Sequence, residues 1–252
     1  MNTPKTPLIS IITVSYNAVA TIEQTILSVI NQGFEDYEYI IVDGGSTDGT
    51  VDVIDKYQDK ITLWVSEPDK GIYDAMNKGV KFAKGDWLNF MNAGDEFKII
   101  NFNLFHEAFN DKKHGVVYGD VIIKKESVFD LVKAAPLNQL NYSLNFCHQS
   151  SFVRTELLRK NPFSLNYKIS SDYEFFLKMF VAGHNFCYVE CSVSVFEYGG
   201  LSSGVSKKYV KERVSIIFKT HIGLKNKFWF MFKFLKMLLP FNRNSIINLY
   251  RK

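Results

Sequence analysis

The sequence predicts an α/β fold: a mostly parallel β-sheet flanked by helices, with a helical extension at the C-terminus. Runs rich in β-branched residues alternate with stretches of helical spacing through the first hundred residues, a rhythm typical of parallel sheets. Polar loops follow the strands predicted there, and all but the first of them contain glycine, as is common at the ligand-binding edge of such sheets. The chain has 252 residues, 46% of them apolar, which is enough for one sizeable core.

The N-terminal half shows the alternation most clearly. Residues 8–14 read Leu-Ile-Ser-Ile-Ile-Thr-Val, which indicates a buried strand. Ile22, Ile26 and Val29 then recur at helical spacing, which indicates a helix at 21–30. The same pattern predicts strands at 37–42, 61–65 and 87–91 and helices at about 48–57 and 71–82.

The rhythm loosens after residue 100. The glycine- and serine-rich stretch at 199–204 favours a mobile hinge or lid, so we expect a main domain at 1–204 and a tail at 205–252. Within the second half of the main domain, the patterns predict helices at 102–109, 155–159 and 172–181 and strands at 116–118, 121–123 and 186–189.

Cysteine usage and the N-terminus favour the cytoplasm. Cys147, Cys187 and Cys191 form an odd set without metal-ligand spacing, which disfavours a disulfide framework. Residues 1–7 are polar and do not resemble a signal peptide.

The most informative stretch is residues 42–50, Val-Asp-Gly-Gly-Ser-Thr-Asp-Gly-Thr. It joins a predicted strand to a predicted helix, the place where open α/β sheets bind ligands. Asp43 can accept hydrogen bonds from the base or ribose of a nucleotide, and Gly44 lets the backbone approach closely. An ordinary turn between strand and helix is the alternative.

The loop after the first strand is a second candidate. Tyr16 can stack on a flat base, and Thr13 or Asn17 can supply hydrogen bonds. A half-buried tyrosine with no ligand is the alternative for this loop.

A third polar loop, residues 67–79, runs into a predicted helix. The N-terminus of that helix and Lys70 or Lys78 can face a diphosphate, and Asp74 lies in the same motif. A charged, solvated helix face explains the pattern equally well.

The fourth loop is Asn92-Ala93-Gly94-Asp95, directly after an apolar strand. A carboxylate at this position, close to a diphosphate, suits an oxygen-preferring cation such as Mn²⁺ or Mg²⁺. One acid suffices there because the phosphates supply further ligands.

Together these motifs resemble the family 2 glycosyltransferases, inverting enzymes of the nucleotide-sugar-binding GT-A fold, and the resemblance covers roughly residues 7–200. Within the family the chain looks most like bacterial enzymes that build surface polysaccharides on a lipid carrier. The resemblance implies that Asp43 contacts the base, that Tyr16 flanks it, and that Asp95 holds the metal that bridges the diphosphate. One departure concerns the metal motif: two positions that usually carry acids are Asn92, whose amide oxygen can still ligate, and Gly94, which cannot.

The resemblance also implies a general base for the acceptor hydroxyl, because direct displacement at the anomeric carbon needs one group to take the proton. Asp172, in a second acidic motif at the start of a helix, is the candidate. Glu174 is the runner-up, about 200° further around the helix, and a helix cap is the non-catalytic alternative for Asp172. His148, in a His-Gln pair, is a candidate contact to the donor sugar or diphosphate, unless it is a purely structural histidine.

The C-terminal tail has its own character. Residues 207–252 hold 12 lysines and arginines against one acid. Residues 228–241 are aromatic and aliphatic with two lysines, too short to span a bilayer, which needs about 20 apolar residues, but typical of an interfacial helix. We therefore expect the tail to bind a membrane surface. A core helix and a dimer contact remain alternatives, and the abundance of Phe, Leu and Met disfavours nucleic acid.

The sequence thus predicts a cytoplasmic glycosyltransferase on the inner face of the plasma membrane. It would move a sugar from a nucleoside diphosphate donor, a UDP-sugar first of all, to a lipid-linked saccharide acceptor. A non-catalytic nucleotide-sugar-binding protein is the rival hypothesis. A nucleotidyltransferase is disfavoured because residues 15–20 contain no glycine- and lysine-rich phosphate loop. The identity of the sugar, the receiving hydroxyl and the oligomeric state stay open.

Overall fold

The computed structural model describes residues 6–98, 102–141, 143–198, 206–220, 223 and 227. A nine-stranded sheet forms its centre, in the order β3-β2-β1-β4-β8-β6-β9-β5, with β7 paired to β6. The strands are β1 (Ile9–Ser15), β2 (Tyr37–Asp43), β3 (Leu63–Ser66), β4 (Trp87–Phe90), β5 (Glu96–Phe97), β6 (His114–Lys125), β7 (Val128–Val132), β8 (Ser151–Arg154) and β9 (Asn185–Glu197).

Strands β1 to β4 form the parallel half that the sequence predicts. β1 lies between β2 and β4, and β3 extends the sheet beyond β2, all in parallel. In this register Ser15 pairs with Asp43, and Asp43 with Ser66. The ends of these three strands therefore lie side by side, and so do the loops that follow them.

The other half of the sheet is mixed. β8 runs antiparallel to both β4 and β6, while β6 and β9 are parallel. β6 is one strand of 12 residues where the sequence predicts two short ones. The register of β6 against β9 shifts around Gly119 and Asp120, and this irregularity interrupts the alternation that a sequence pattern relies on. The prediction at 186–189 likewise captured only the first part of β9.

Helices cover both faces of the sheet, as predicted. Ile12 and Val14 of β1 face one core with Met76 and Val80, while Ile9 and Ile11 face the other. The helices are α1 (Ile22–Ile30), α2 (Thr50–Asp55), α3 (Ile72–Phe82), α4 (Asn103–Asn110), α5 (Thr155–Lys160), α6 (Ser171–Val181) and α7 (Lys207–Lys219), with 3₁₀ turns at Gln58–Lys60, Leu137–Asn141 and His148–Ser150.

The first helix of the predicted tail, α7, packs on the main domain. Ile216 and Ile217 are buried against Tyr173 and Leu177 of α6. The guanidinium carbon of Arg213 lies 3.5 Å from the centroid of the Tyr173 ring, a cation–π contact. The predicted hinge at 199–204 and the aromatic segment at 228–241 lie outside the described residues. Within the described part of the chain, no helix is long and apolar enough to cross a bilayer.

Candidate active site

Asp43 lies at the carboxyl end of β2, is fully buried, and accepts hydrogen bonds from its own loop and from the ends of the neighbouring strands. Oδ2 accepts hydrogen bonds from the backbone N–H groups of Gly45 and Ser46 and from the Ser66 hydroxyl, at 2.7–3.0 Å. Oδ1 accepts from the hydroxyls of Ser15 and Ser46. Burial opposes ionisation, but these hydrogen bonds outweigh it and hold the pKa of Asp43 below its ordinary value. The carboxylate thus joins the ends of β1, β2 and β3, and its predicted contact to a base stays a prediction.

Tyr16 is the exposed side chain of the first loop, with 66% of its surface accessible. Asn17 adopts a positive φ of 46°, and its side-chain oxygen accepts from the Thr47 N–H at 3.0 Å. Asn17 therefore fastens the first loop to the Asp43 loop and leaves the Tyr16 ring at the surface. Thr13 is fully buried and its hydroxyl pairs with that of Tyr39 at 2.9 Å, so its predicted nucleotide contact has no support from its side chain.

Gly44 lies where two loops meet. A Cβ atom built on it would lie 2.5 Å from Oδ2 of Asp69 and 3.3 Å from the Tyr16 ring. A side chain at this position would have to displace the end of the Asp69 side chain and press on the Tyr16 ring, so glycine suits it. The predicted approach of the Gly44 backbone to a nucleotide stays a prediction.

The loop before α3 is held by hydrogen bonds with Asp74 and Lys168. Asp74 accepts from the Lys70 N–H at 3.0 Å, and the Lys70 carbonyl accepts from Lys168. The Lys70 side chain is exposed. Lys78, by contrast, forms an ion pair with Glu67 at 2.7 Å. Of the two predicted diphosphate lysines, Lys70 is the one whose side chain extends into solvent.

The loop after β4 carries Asn92 and Asp95, both nearly buried. Oδ2 of Asp95 accepts from the Gln149 side chain at 2.5 Å. Burial raises the pKa of Asp95 to about 6, against the opposing effects of Gln149 and His148. A nearby cation would favour the ionised form of this buried carboxylate and offset the cost of its burial.

The His148–Ser150 turn connects this loop to α6. His148 Nε2 lies 3.2 Å from the Asn92 amide nitrogen, and its Nδ1 lies 3.3 Å from Oδ2 of Asp172. Neighbouring Gln149 holds Asp95. The two acidic motifs of the sequence are therefore joined through two consecutive side chains.

Asp172 lies in the first turn of α6, and Ser170 is the N-cap residue of that helix. Tyr73 of α3 donates to Oδ1 of Asp172 at 3.0 Å, opposite His148. Burial opposes ionisation of Asp172, but His148, the Tyr173 backbone N–H and the Tyr73 hydroxyl together outweigh it, so the pKa of Asp172 lies below its ordinary value. Glu174 instead forms an ion pair with Lys178 of the same helix at 2.8 Å.

Glu212 of α7 supports the turn before Asp172. Its buried carboxylate accepts from three consecutive backbone N–H groups, those of Lys168, Ile169 and Ser170, at 2.8–3.1 Å. The first helix of the basic tail therefore helps to set the position of α6.

A divalent cation fits the Asp95 loop only if the substrate supplies most of its ligands. Among the residues that the structure describes, no group of three or more His, Cys, Asp or Glu side chains can hold a metal. Asp95 offers one carboxylate, and Oδ1 of Asn92 is buried without a hydrogen-bond donor from the described residues. Hard oxygen ligands of this kind suit Mn²⁺ or Mg²⁺ held together with phosphate oxygens.

Comparison with known proteins identifies the family of the chain. Residues 10–177 match the family described as glycosyl transferase family 2. The chain belongs to this family. A PGL/p-HBAD biosynthesis glycosyltransferase of Mycobacterium bovis (strain BCG / Pasteur 1173P2) is 31% identical over 227 residues, which are 87% of this chain and 88% of the relative. The putative teichuronic acid biosynthesis glycosyltransferase TuaG of Bacillus subtilis (strain 168) is 40% identical over 95 residues, 36% of this chain and 38% of TuaG.

Solved structures show the same fold as this glycosyltransferase. Residues 1–349 of S. aureus TarS, in complex with UDP, superpose with a TM-score of 0.71 at 20% identity, over 94% of this chain and 73% of that one. The mannosyltransferase PcManGT of Pyrobaculum calidifontis, in complex with GDP-Man and Mn²⁺, gives 0.61 at 16% identity, over 91% and 69%. The predicted GT-A-type fold is confirmed.

The structure brings together several of the predicted residues and adds others. Asn92, His148 and Asp172 form one chain of contacts, while Tyr16 and Gly44 lie together at the other loops. Sequence reasoning did not single out Tyr73, Gln149, Asp69 or Glu212. Asp69 and Tyr73 lie in the polar stretch at 67–79, and Gln149 directly follows His148. Membership of these motifs was therefore the available sequence signal for the three residues, whereas Glu212 lies in no such motif.

Proposed function

We propose that this enzyme transfers one sugar, with inversion at the anomeric carbon, from a UDP-sugar to a hydroxyl of a lipid-linked saccharide. The observation that carries the proposal is the His148–Gln149 pair. It connects the metal-candidate residue Asp95 to the base-candidate residue Asp172. A leaving diphosphate and an attacking hydroxyl need these two groups on either side of one sugar, and a shared scaffold fixes their separation.

Asp172 takes the proton of the acceptor hydroxyl in this proposal. Its lowered pKa keeps it ionised at neutral pH, and the hydrogen bonds from Tyr73 and His148 fix its orientation. Ion pairing of Glu174 with Lys178 favours Asp172 over the runner-up. A positioned general base of this kind contributes about 10²- to 10⁴-fold to the rate.

The donor lies across the loops after β1, β2 and β4. Tyr16 stacks on the base, the backbone at Gly44 approaches the nucleotide, and Lys70 with the start of α3 faces the diphosphate. Asp95, assisted by Asn92, would hold a Mn²⁺ or Mg²⁺ ion, which supplies charge neutralisation for the leaving nucleotide. The likeness to nucleotide-bound structures in the fold supports this placement.

The acceptor assignment draws on the likeness to TuaG of Bacillus subtilis, which is described as a putative teichuronic acid biosynthesis glycosyltransferase. A lipid-linked acceptor would be met at a membrane surface. The basic residues from Lys207 onward would hold the enzyme at the cytoplasmic leaflet, where anionic headgroups attract lysine and arginine.

Nucleotide release by the purified enzyme tests the proposal. It is offered UDP-, GDP- and dTDP-sugars with Mn²⁺, with and without EDTA, and a short lipid-diphosphate-saccharide acceptor. We expect acceptor-stimulated release from a UDP-sugar that EDTA abolishes. Release that survives EDTA would remove the metal role of Asp95, and UDP binding without release or transfer would favour the non-catalytic rival.

Variants sharpen this test. Asp172→Asn and Asp95→Ala should each lose turnover, while Asp172→Asn still binds the nucleotide. Glu156→Gln is the matched control, because Glu156 pairs with Lys160 on the exposed surface of α5. Wild-type rates in both site variants would contradict the assignment.

A further inference from the structure

Asp69 is a carboxylate that the proposed catalytic machinery does not use. It is half-buried in the loop before α3, and its Oδ1 accepts from the Gly71 N–H at 2.7 Å. No residue that the structure describes donates a hydrogen bond to its Oδ2. That oxygen lies 2.5 Å from the place of a Cβ on Gly44, next to the Tyr16 ring.

The loop that carries Asp69 is docked onto the Asp43 loop. The Glu67 N–H donates to the Asp43 carbonyl at 3.0 Å. A Cβ on Gly45, whose φ is 82°, would come within 3.3 Å of the Pro68 backbone nitrogen. The two adjacent glycines thus allow a close approach, and the Gly71 N–H holds the Asp69 side chain in place. A group fixed in this way loses little conformational entropy on binding a ligand.

Asp43, by contrast, has no capacity left for a base. It is fully buried and its two oxygens already accept five hydrogen bonds. If a base stacks on the exposed Tyr16 ring, its edge faces the Asp69 carboxylate. Asp43 then presents only its backbone to the base.

We propose that Asp69, rather than Asp43, reads the base of the donor nucleotide. This inference rests on the proposed function, since it concerns the same donor site. An ionised carboxylate is a hydrogen-bond acceptor only. It pairs with a base whose ring nitrogen carries a hydrogen, as in uracil, thymine and guanine, and repels the lone pair on the corresponding nitrogen of cytosine and adenine.

Calorimetric titration of the full chain with UDP, dTDP, GDP, CDP and ADP, in the presence of Mn²⁺, tests the assignment. The wild type should bind at least one of the first three about 10- to 100-fold more tightly than CDP or ADP. This is the affinity difference between a ligand that forms a charge-assisted hydrogen bond and one that leaves the polar group unpaired. UDP is the expected best ligand.

Asp69→Asn is the decisive variant. Its side-chain oxygen can still accept from Gly71, so the loop keeps its support, while its amide N–H can donate to the ring nitrogen of cytosine. We expect the preference for UDP over CDP to fall to within about threefold. Glu67→Gln, the same chemical change two residues earlier on an exposed side chain, should keep the wild-type preference.

Asp43→Asn separates the two carboxylates. It should lower the melting temperature and weaken UDP and CDP equally, because it loosens the loops without changing the group at the base edge. The assignment would be overturned if the ratio of the dissociation constants for CDP and UDP were unchanged in Asp69→Asn, or if it fell toward one in Asp43→Asn alone. Binding of UDP in these variants would still support the donor site. A wild type that binds none of the five nucleotides would overturn the proposed function and this inference with it.

Discussion

Replacing Glu212 should destabilise the enzyme and slow it, although this residue belongs to the basic tail. Its carboxylate accepts from the N–H groups of Lys168, Ile169 and Ser170. Lys168 is exposed, while Ile169 and Ser170 are half-buried and buried. In Glu212→Ala, water can replace the partner of Lys168, but two N–H groups lose their acceptor at about 1–3 kcal/mol each.

The expected loss for Glu212→Ala is therefore about 4 kcal/mol. For a chain of this size each kcal/mol lowers the melting temperature by about 2–4 °C, so a drop of roughly 8–16 °C follows. Glu212→Gln is the matched control. Its amide oxygen can keep the bonds from Ile169 and Ser170 and lose only the exposed one, at about 1 kcal/mol.

Thermal unfolding followed by circular dichroism, together with steady-state kinetics, measures both effects. The turn held by Glu212 leads directly into Asp172, so the Ala variant should lower kcat more than it raises the KM for the donor. The reasoning would be refuted if Glu212→Ala and Glu212→Gln had equal melting temperatures, or if the Ala variant stayed within about 2 °C of the wild type.

Three further outcomes follow from the site and the tail. Tyr73→Phe removes a hydrogen bond to Asp172 and should lower kcat about tenfold, whereas Asp172→Asn should lower kcat about 10²-fold or more. Both kcat values are measured with saturating donor. Equal values for the two variants would contradict the separate roles of the tyrosine and the base. Because burial raises the pKa of Asp95 to about 6, Asp95 binds a proton at a higher pH in the folded metal-free enzyme than in the unfolded chain. The free energy of unfolding therefore increases as the pH falls from about 7 toward about 4. Asp95→Asn should therefore melt above the wild type at neutral pH, with a gap that narrows at about pH 5; a gap independent of pH would reject this explanation. The full chain should pellet with anionic liposomes and a chain lacking residues 222–252 should stay in the supernatant, whereas binding that survives the truncation would leave the membrane role to another surface.

Much of the parallel half could be predicted because its signals are local. Residues 8–14 and 37–42 carry runs of β-branched and aromatic side chains, and each strand is followed by polar residues within a few positions. Strand type, helix spacing and the position of Asp43 at a strand end all follow from neighbours in the sequence. The mixed half was harder, since β6 contains a register shift near Gly119 and β7 has exposed apolar residues that blur its alternation.

The sequence by itself determined the α/β class, the loops that carry the candidate residues and the likeness to family 2 glycosyltransferases, because each depends on short-range periodicity or on a contiguous motif. Only the tertiary structure decided which of these residues meet. Tyr73 reaches Asp172 across 99 positions of the chain, and Glu212 reaches the turn before it across 42 to 44. The same packing turned Asp43 inward and left Asp69 beside Tyr16. Such contacts come from the docking of separate elements, and no local pattern of side chains encodes them.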